Sequence, residues 1–294
     1  WPSAGRARLA AQPGRVEQAR FMREFVAMAH AERIPYNLIE AFDQPWKRRL
    51  EGAMGGHWGV FDSLGAEKFP WRGPVAEDPG WRTGLWSGAF GALAFGIATL
   101  ALKRRASGPG EAAETAGASV LTSVLAGAAT GIVLFAQWRY LQAWSREAIE
   151  WAATVPFLLA TAPLAWLGLH PQGWRRSLDP LRAMFLFGAA VNVVLLVFDS
   201  RYRGFPLAFF VVPAVVELVR ILSGEAARVS RETRLLSLIL AIGAACVFVN
   251  ERPSNHEALA YAVLMLGYAL ARTDGRPLRT SARAPSSAPI ADGS

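Results

Sequence analysis

The chain has 294 residues, 52% of them hydrophobic and 18% charged, with a formal net charge of +8 and a mean hydropathy of +0.22. That balance is too apolar for an ordinary soluble protein, and the basic residues lie scattered in short loops with no aromatic-interleaved stripe, which excludes a nucleic-acid surface. The single cysteine, Cys246, excludes an internal disulfide framework and a cysteine-rich zinc site, and within its apolar run it reads as a buried structural thiol.

In chain order, residues 1–75 are mixed and polar, and they form the first unit. The stretch 14–31 (GRVEQARFMREFVAMAHA) predicts an amphipathic helix. Val16, Phe21, Phe25, Met28 and Ala29 lie on its apolar face, with Arg15, Glu17, Arg20, Arg23 and Glu24 on the wet one. A turn at Glu32-Arg33 leads to a predicted strand, Tyr36–Phe42 (YNLIEAF), which runs into a polar and aromatic cluster of Asp43, Gln44, Trp46 and Lys47. A helix followed by a strand is the repeating unit of a parallel α/β layer, where chemistry gathers at the C-terminal strand ends. Glu40 shares one strand face with Tyr36, Leu38 and Phe42. A carboxylate there is costly to bury alone, so it should be paired or face a cleft. His57 has no metal-ligand neighbours at suitable spacing and reads as a loop histidine.

Residues 76–83 form a turn-rich linker, and residues 84–271 a transmembrane helical domain. Apolar runs fall at 84–102, 116–138, 148–169, 183–198, 205–222, 235–249 and 258–271. About 20 apolar residues cross a bilayer core, so the first five runs are expected to span, and the last two are short. Residues 272–294 read as a disordered cytoplasmic tail. Alternate loops carry fourteen Lys or Arg residues on one side against six on the other. The richer side is expected in the cytoplasm, with residues 1–75 outside. Tryptophans near the run ends, among them Trp81, Trp138, Trp144 and Trp166, suit an aromatic belt. Two intramembrane polar groups stand out: Asn192 in mid-run, and Glu217, which Arg220 at i+3 can pair locally.

Three separated motifs, Trp1-Pro2-Ser3-Ala4-Gly5, YNLIEAFDQPWK (36–47) and EGAMGGHWGVFD (51–62), stand in one order and spacing. Together they resemble the closing segment of glycoside hydrolase family 17, in its bacterial membrane-anchored branch of β-glucan synthase-like proteins. The resemblance covers about the first quarter of the chain. It implies the last βα units of a (β/α)8 TIM barrel, followed here by an α-helical polytopic bundle of about seven transmembrane helices. It further implies a retaining glucanase or glucanosyltransferase of the inner membrane, acting on β-1,3-glucan in the cell envelope with two carboxyl groups flanking the scissile bond. Its nucleophile is expected just before Trp1, so the chain reads as a fragment with neither catalytic Glu and no activity alone.

The supporting and substrate-binding residues carried over are Trp1, Glu40, Asp43, Trp46, Lys47, Glu51 and Trp58. The two later indoles, Trp46 and Trp58, serve either sugar stacking or rim packing. No cofactor or metal is implied; the expected partners are a β-glucan and the lipid bilayer. Two other readings stay open: a membrane component of β-glucan synthesis or export, and a polytopic transporter. No cytoplasmic cluster of aspartates suits a metal–nucleotide sugar site, which weighs against synthesis from activated sugars.

Overall fold

The computed structural model describes residues 1–106, 118–145, 147–170, 175–225 and 229–273. The expected tail, 272–294, lies almost entirely outside them. The described residues form helices and loops. After α1 (Arg15–Ala31) come a 3-10 turn at Pro45–Lys47 and the single-turn α2 (Arg48–Glu51). The bundle follows as α3 (Trp81–Ala106), α4 (Val120–Trp144), α5 (Ala148–Leu169), α6 (Arg175–Phe198), α7 (Leu207–Leu222), α8 (Arg231–Glu251) and α9 (His256–Thr273).

The first helix forms where expected, but it presents a different face. Gln18, Ala19, Met22 and Ala29 are buried, while Val16, Phe21 and Met28 are exposed. Phe21 instead joins an open aromatic row: it stacks on Phe25, which meets the Tyr36 ring edge-on. The strand over Tyr36–Phe42 does not form, and no named strand or barrel unit exists among the described residues. The stretch is extended, yet it pairs on one side only. Val60 N donates to Glu40 O (3.1 Å), Phe61 N to Ala41 O (2.9 Å), and Asp43 N to Phe61 O (3.0 Å), around one parallel bridge between Phe42 and Phe61. A strand is built from successive bridges and one bridge is too short a ladder, while the other edge of the segment stays without a partner. Here that edge is bare, with Ile39 and Phe42 exposed. Gly59 permits the close pairing, since a Cβ there would run into the Asp43 nitrogen and the Phe61 carbonyl.

Five helices are long and apolar enough to cross a bilayer: Trp81–Arg105, Val120–Trp144, Ala148–Leu169, Ser177–Phe198 and Arg231–Glu251. The protein is therefore a membrane protein. The five are not the five expected. The run at 205–222 yields only the 16-residue α7, roughly 24 Å at about 1.5 Å per residue and short of the ~30 Å hydrocarbon core. The short-looking run at 235–249 gains both ends and becomes the 21-residue α8. The added residues, Arg231–Arg234 and Asn250-Glu251, are polar, so an apolar window alone misses them. The first span starts at Trp81, inside the expected linker.

Packing follows residue size. In α3 and α4, Gly91 lies against Gly127, and Gly131 against Ser87 and Gly88. Small residues spaced four apart let the backbones meet, and dispersion and polar contacts then replace the hydrophobic drive that lipid removes. Ser87 donates to the Gly131 carbonyl (2.7 Å) across this seam. The outer face of α3, with Trp86, Phe90 and Ile97, stays exposed. The main core lies among α5 to α9, around Phe185, Val193, Leu240, Tyr261 and Met265. Asn192 in mid-helix accepts from the Tyr261 hydroxyl (2.9 Å). Cys246 is exposed, contrary to the expected burial, because the buried stripe of α8 runs through Ser237, Leu240, Gly243, Ala244 and Val247.

The two ends of the bundle differ in kind. Residues 1–75 dock on one end, against the loops after α4, α6 and α8. Arg6 forms a buried ion pair with Glu251, donates to the carbonyls of Ser200 (3.1 Å) and Arg203 (3.3 Å), and lies over the Phe205 ring. Asn255 donates to Ala7 O (2.9 Å) and Glu251 (2.8 Å). At the opposite end, Glu217 is fully buried amid three arginines from three helices. Arg182 Nε and Arg272 Nη1 approach Oε1 at 2.8 and 2.9 Å, and Arg220 Nε holds Oε2 at 2.8 Å. Arg220 also donates to Ala271 O (2.6 Å), tying the last turns of α7 and α9.

Candidate functional site

The expected site residues fall into three groups around the fold-back of 40–68. In the first, Lys47 donates to Glu40 Oε1, and the same ammonium lies 5.7 Å from the centroid of the exposed Trp46 ring. The turn Pro45–Lys47 begins with proline, whose fixed φ suits the first position of a helical turn. It swings Lys47 back over the extended segment that carries Glu40. Glu40 is thus paired, as burial demands, yet its side chain is only 10% exposed and Oε2 has no partner. The carboxylate is therefore enclosed by its own chain, and the surface of this group is the Lys47 ammonium and the Trp46 indole.

In the second group, Trp58 Nε1 donates to Glu51 (3.2 Å) at the far end of α2. The third is built on Asp43, which accepts from Lys68 Nζ (2.7 Å) and from Gly59 N (2.9 Å). Here burial outweighs pairing on both partners: it pushes the Asp43 carboxyl above its ordinary value and pulls the Lys68 ammonium below its own. His57 lies 3.9 Å from Asp43. Burial first, then the Arg48 and Lys68 cations, pulls its imidazole down to about 4, so it is neutral near pH 7 and this contact is not an ion pair. Asp43 therefore belongs to a packed polar core.

Trp1 stands apart from these groups. Its indole donates to Gln12 O (3.2 Å) and its ring lies 6.4 Å from Phe21, at the start of the open aromatic row. Lys68 and the Arg6–Glu251 anchor were not legible beforehand. Lys68 is a lone cation between Glu67 and Phe69, with no periodicity to mark it as buried. Asp62 is committed to structure: its carboxylate accepts from Leu64 N and Ala66 N (2.9 Å each), closing a tight loop, and these bonds hold its pKa below the usual range.

Two cavities sit where this region meets the bundle. One, of about 160 Å³, lies beneath it, between Ser3, Ala53, His57 and Trp144. The other, of about 400 Å³, opens within the bundle between α4, α5, α6 and α7. The Trp144 indole borders both. The 49–53 stretch rests on the lip of the larger cavity: Tyr202, which lines it, donates to Arg49 O (3.3 Å), and neighbouring Arg201 donates to Leu50 O (2.7 Å). Compared with family models, with curated proteins and with solved structures, the chain matches none of them.

Proposed function

We propose that the protein is the membrane-anchored part of a retaining β-glucan hydrolase or transglycosylase of the cell envelope, with β-1,3-glucan as substrate. The observation that carries this reading is the Glu40–Lys47–Trp46 group. It offers an open indole and a partly exposed ammonium held in place by the Glu40 carboxylate, a set that suits a sugar C–H face and a sugar hydroxyl. The motif order of residues 1–62 supports it. So does the exposed apolar face of Phe21, Tyr36, Ile39 and Phe42, an area that calls for a cover and that further βα units of a barrel would supply. In this reading a carboxyl pair about 5–5.5 Å apart, carried by residues preceding Trp1, performs the displacement. Lys47 and Trp46 hold the sugar, and Glu40 positions Lys47. Transfer replaces hydrolysis when an acceptor sugar excludes water from the glycosyl-enzyme.

In the same reading all seven helices run between the two faces of the inner membrane, the short α7 packed within the bundle, with residues 1–75 outside and the C-terminus in the cytoplasm. Support comes from contacts at both ends: the residues just before α7 and α9 touch Arg6 and Ala7 of the docked region, and the last turns of the two helices lie at Glu217. The basic loops 103–105, 175–182 and 231–234 belong to the Glu217 end.

The test uses a polypeptide extended upstream of Trp1, assayed on β-1,3-gluco-oligosaccharides. Turnover is expected there and none from the 294-residue chain. Glu40→Gln and Lys47→Met should each lower turnover roughly a hundredfold at normal abundance. Turnover by the short chain, or full activity in both variants, overturns the assignment. Single cysteines at Ser63 and Ser281, in a Cys246→Ser background, test sidedness; labelling of both from one side refutes it.

A further inference from the structure

We infer that the 400 Å³ cavity between α5 and α6 is a specific site for one zwitterionic membrane phospholipid, with its acyl chain inside and its head at Arg203 and Glu150. The inference is independent of the glucan reading. The cavity lies within the size range of about 300–1,000 Å³ for ligand pockets. Its wall is mostly apolar and aromatic, through Phe157, Val191, Phe209 and Phe210. Its rim at Ile149 and Phe187 is exposed on the side of two helices that span the bilayer, so what meets the opening is lipid. Pro156, in the middle of α5, cannot donate to the Ala152 carbonyl, which loosens the ladder beside the opening.

The polar end distinguishes this cavity from a bare greasy groove. Glu150, in the first turn of α5, and Arg203, in the loop before α7, line it at the end that carries residues 1–75. Arg203 is held by Asp199 at 3.4 Å, and its side chain remains 26% exposed. One cation and one anion on the same rim match a phosphate and an ammonium carried by one headgroup. A tail reaching inward from that rim passes Trp144 and Thr154 toward Asn192. The head would then sit directly below Arg49–Ala53, whose carbonyls Tyr202 and Arg201 hold.

The test is native mass spectrometry of the whole chain, released from micelles containing equimolar phosphatidylethanolamine and phosphatidylglycerol. One phosphatidylethanolamine per chain should be retained, at least tenfold over phosphatidylglycerol. Ala153→Trp, at the mouth, should cut retention at least tenfold, while Leu93→Trp, on the exposed face of α3, should leave it unchanged. Glu150→Gln should abolish the preference between the two lipids. Equal retention of both lipids by the wild type, or equal loss in both tryptophan variants, overturns the site. A second measurement holds even if Ala153→Trp does not fold. Phosphatidylethanolamine with brominated chains should quench the fluorescence component lost in Trp144→Phe, saturating at one lipid per chain. Quenching that rises without saturation overturns the proposal as well.

Discussion

The two ends of the molecule each hold a buried carboxylate, and they hold it in opposite ways. Glu217 is enclosed by three guanidinium groups from α6, α7 and α9, with both oxygens taken. Glu40 has one ammonium on one oxygen and nothing on the other. A carboxylate whose every acceptor site is filled by its own chain is a structural clasp. One paired with a single, partly exposed ammonium positions that cation, and its loss leaves a charge that water can reach. The same residue type thus serves different ends, and the donor count separates them.

The comparison breaks most sharply at Glu217. Glu217→Gln removes the carboxylate charge that Arg182, Arg220 and Arg272 share and leaves all three buried. Losing one partner of a buried charge network costs on the order of 3–5 kcal/mol. The expected result is a marked fall in detergent-solubilised folded protein, read by thermal unfolding. A stable Glu217→Gln protein would show that water or lipid already screens this cluster. Glu251→Gln comes next. It takes one partner from Arg6, and a loss of roughly 2–3 kcal/mol is expected at the dock between residues 1–75 and the bundle. Limited proteolysis near Pro74 should accelerate while the bundle core keeps its thermal midpoint. Unchanged cleavage would assign the dock to Asn255 and Arg201 instead.

Glu40→Gln should cost at most about 1 kcal/mol, because Lys47 keeps access to water and can re-solvate. Its effect should appear in turnover rather than stability, the reverse of Glu217→Gln. A stability loss as large as that at Glu217 would make Glu40 a clasp as well.

How much of this was legible in the sequence follows from range. Local patterns came through: the helix at 15–31, the apolar runs and the closeness of Glu217 to Arg220 are set by spacings of three or four residues. Arg182 and Arg272 lie 35 and 55 residues from Glu217 and carried no local mark. The strand failed because strands are collective. YNLIEAF has the alternation of a strand, but its partner turns away at Asp62 after a single bridge. The buried face of α1 was misassigned for a related reason. The widest apolar stripe faces outward, and the docked face uses Ala19, Ala29 and the side-chain amide of Gln18, which donates to Gly59 O (3.0 Å). At the candidate site, Glu40, Lys47 and Trp46 were found because they lie within one short segment, whereas Lys68 comes from a separate one.

The smallest effect concerns His57, and it tests whether the 40–68 fold-back is a packed unit. Its imidazole has an ordinary value near 6.5 when exposed and about 4 in the folded protein, chiefly because it is buried. Between those values the unfolded chain binds a proton that the folded one refuses. The stability tied to a neutral His57 is therefore complete above pH 6.5 and is lost as the pH falls toward 4. Asp43 acts in the opposite sense, since its raised pKa lets the folded form take a proton first as the medium acidifies. The net slope alone is thus ambiguous, and His57→Gln isolates the histidine part. Amide hydrogen exchange of residues 57–61, followed from pH 7 to 4.5 and corrected for intrinsic rates, should show protection falling in the wild type. In His57→Gln the fall should be flatter across the range. Parallel pH dependence in the two proteins would mean that His57 reaches water when folded, and the packed core around Asp43 and Lys68 would then be looser than the structure draws it.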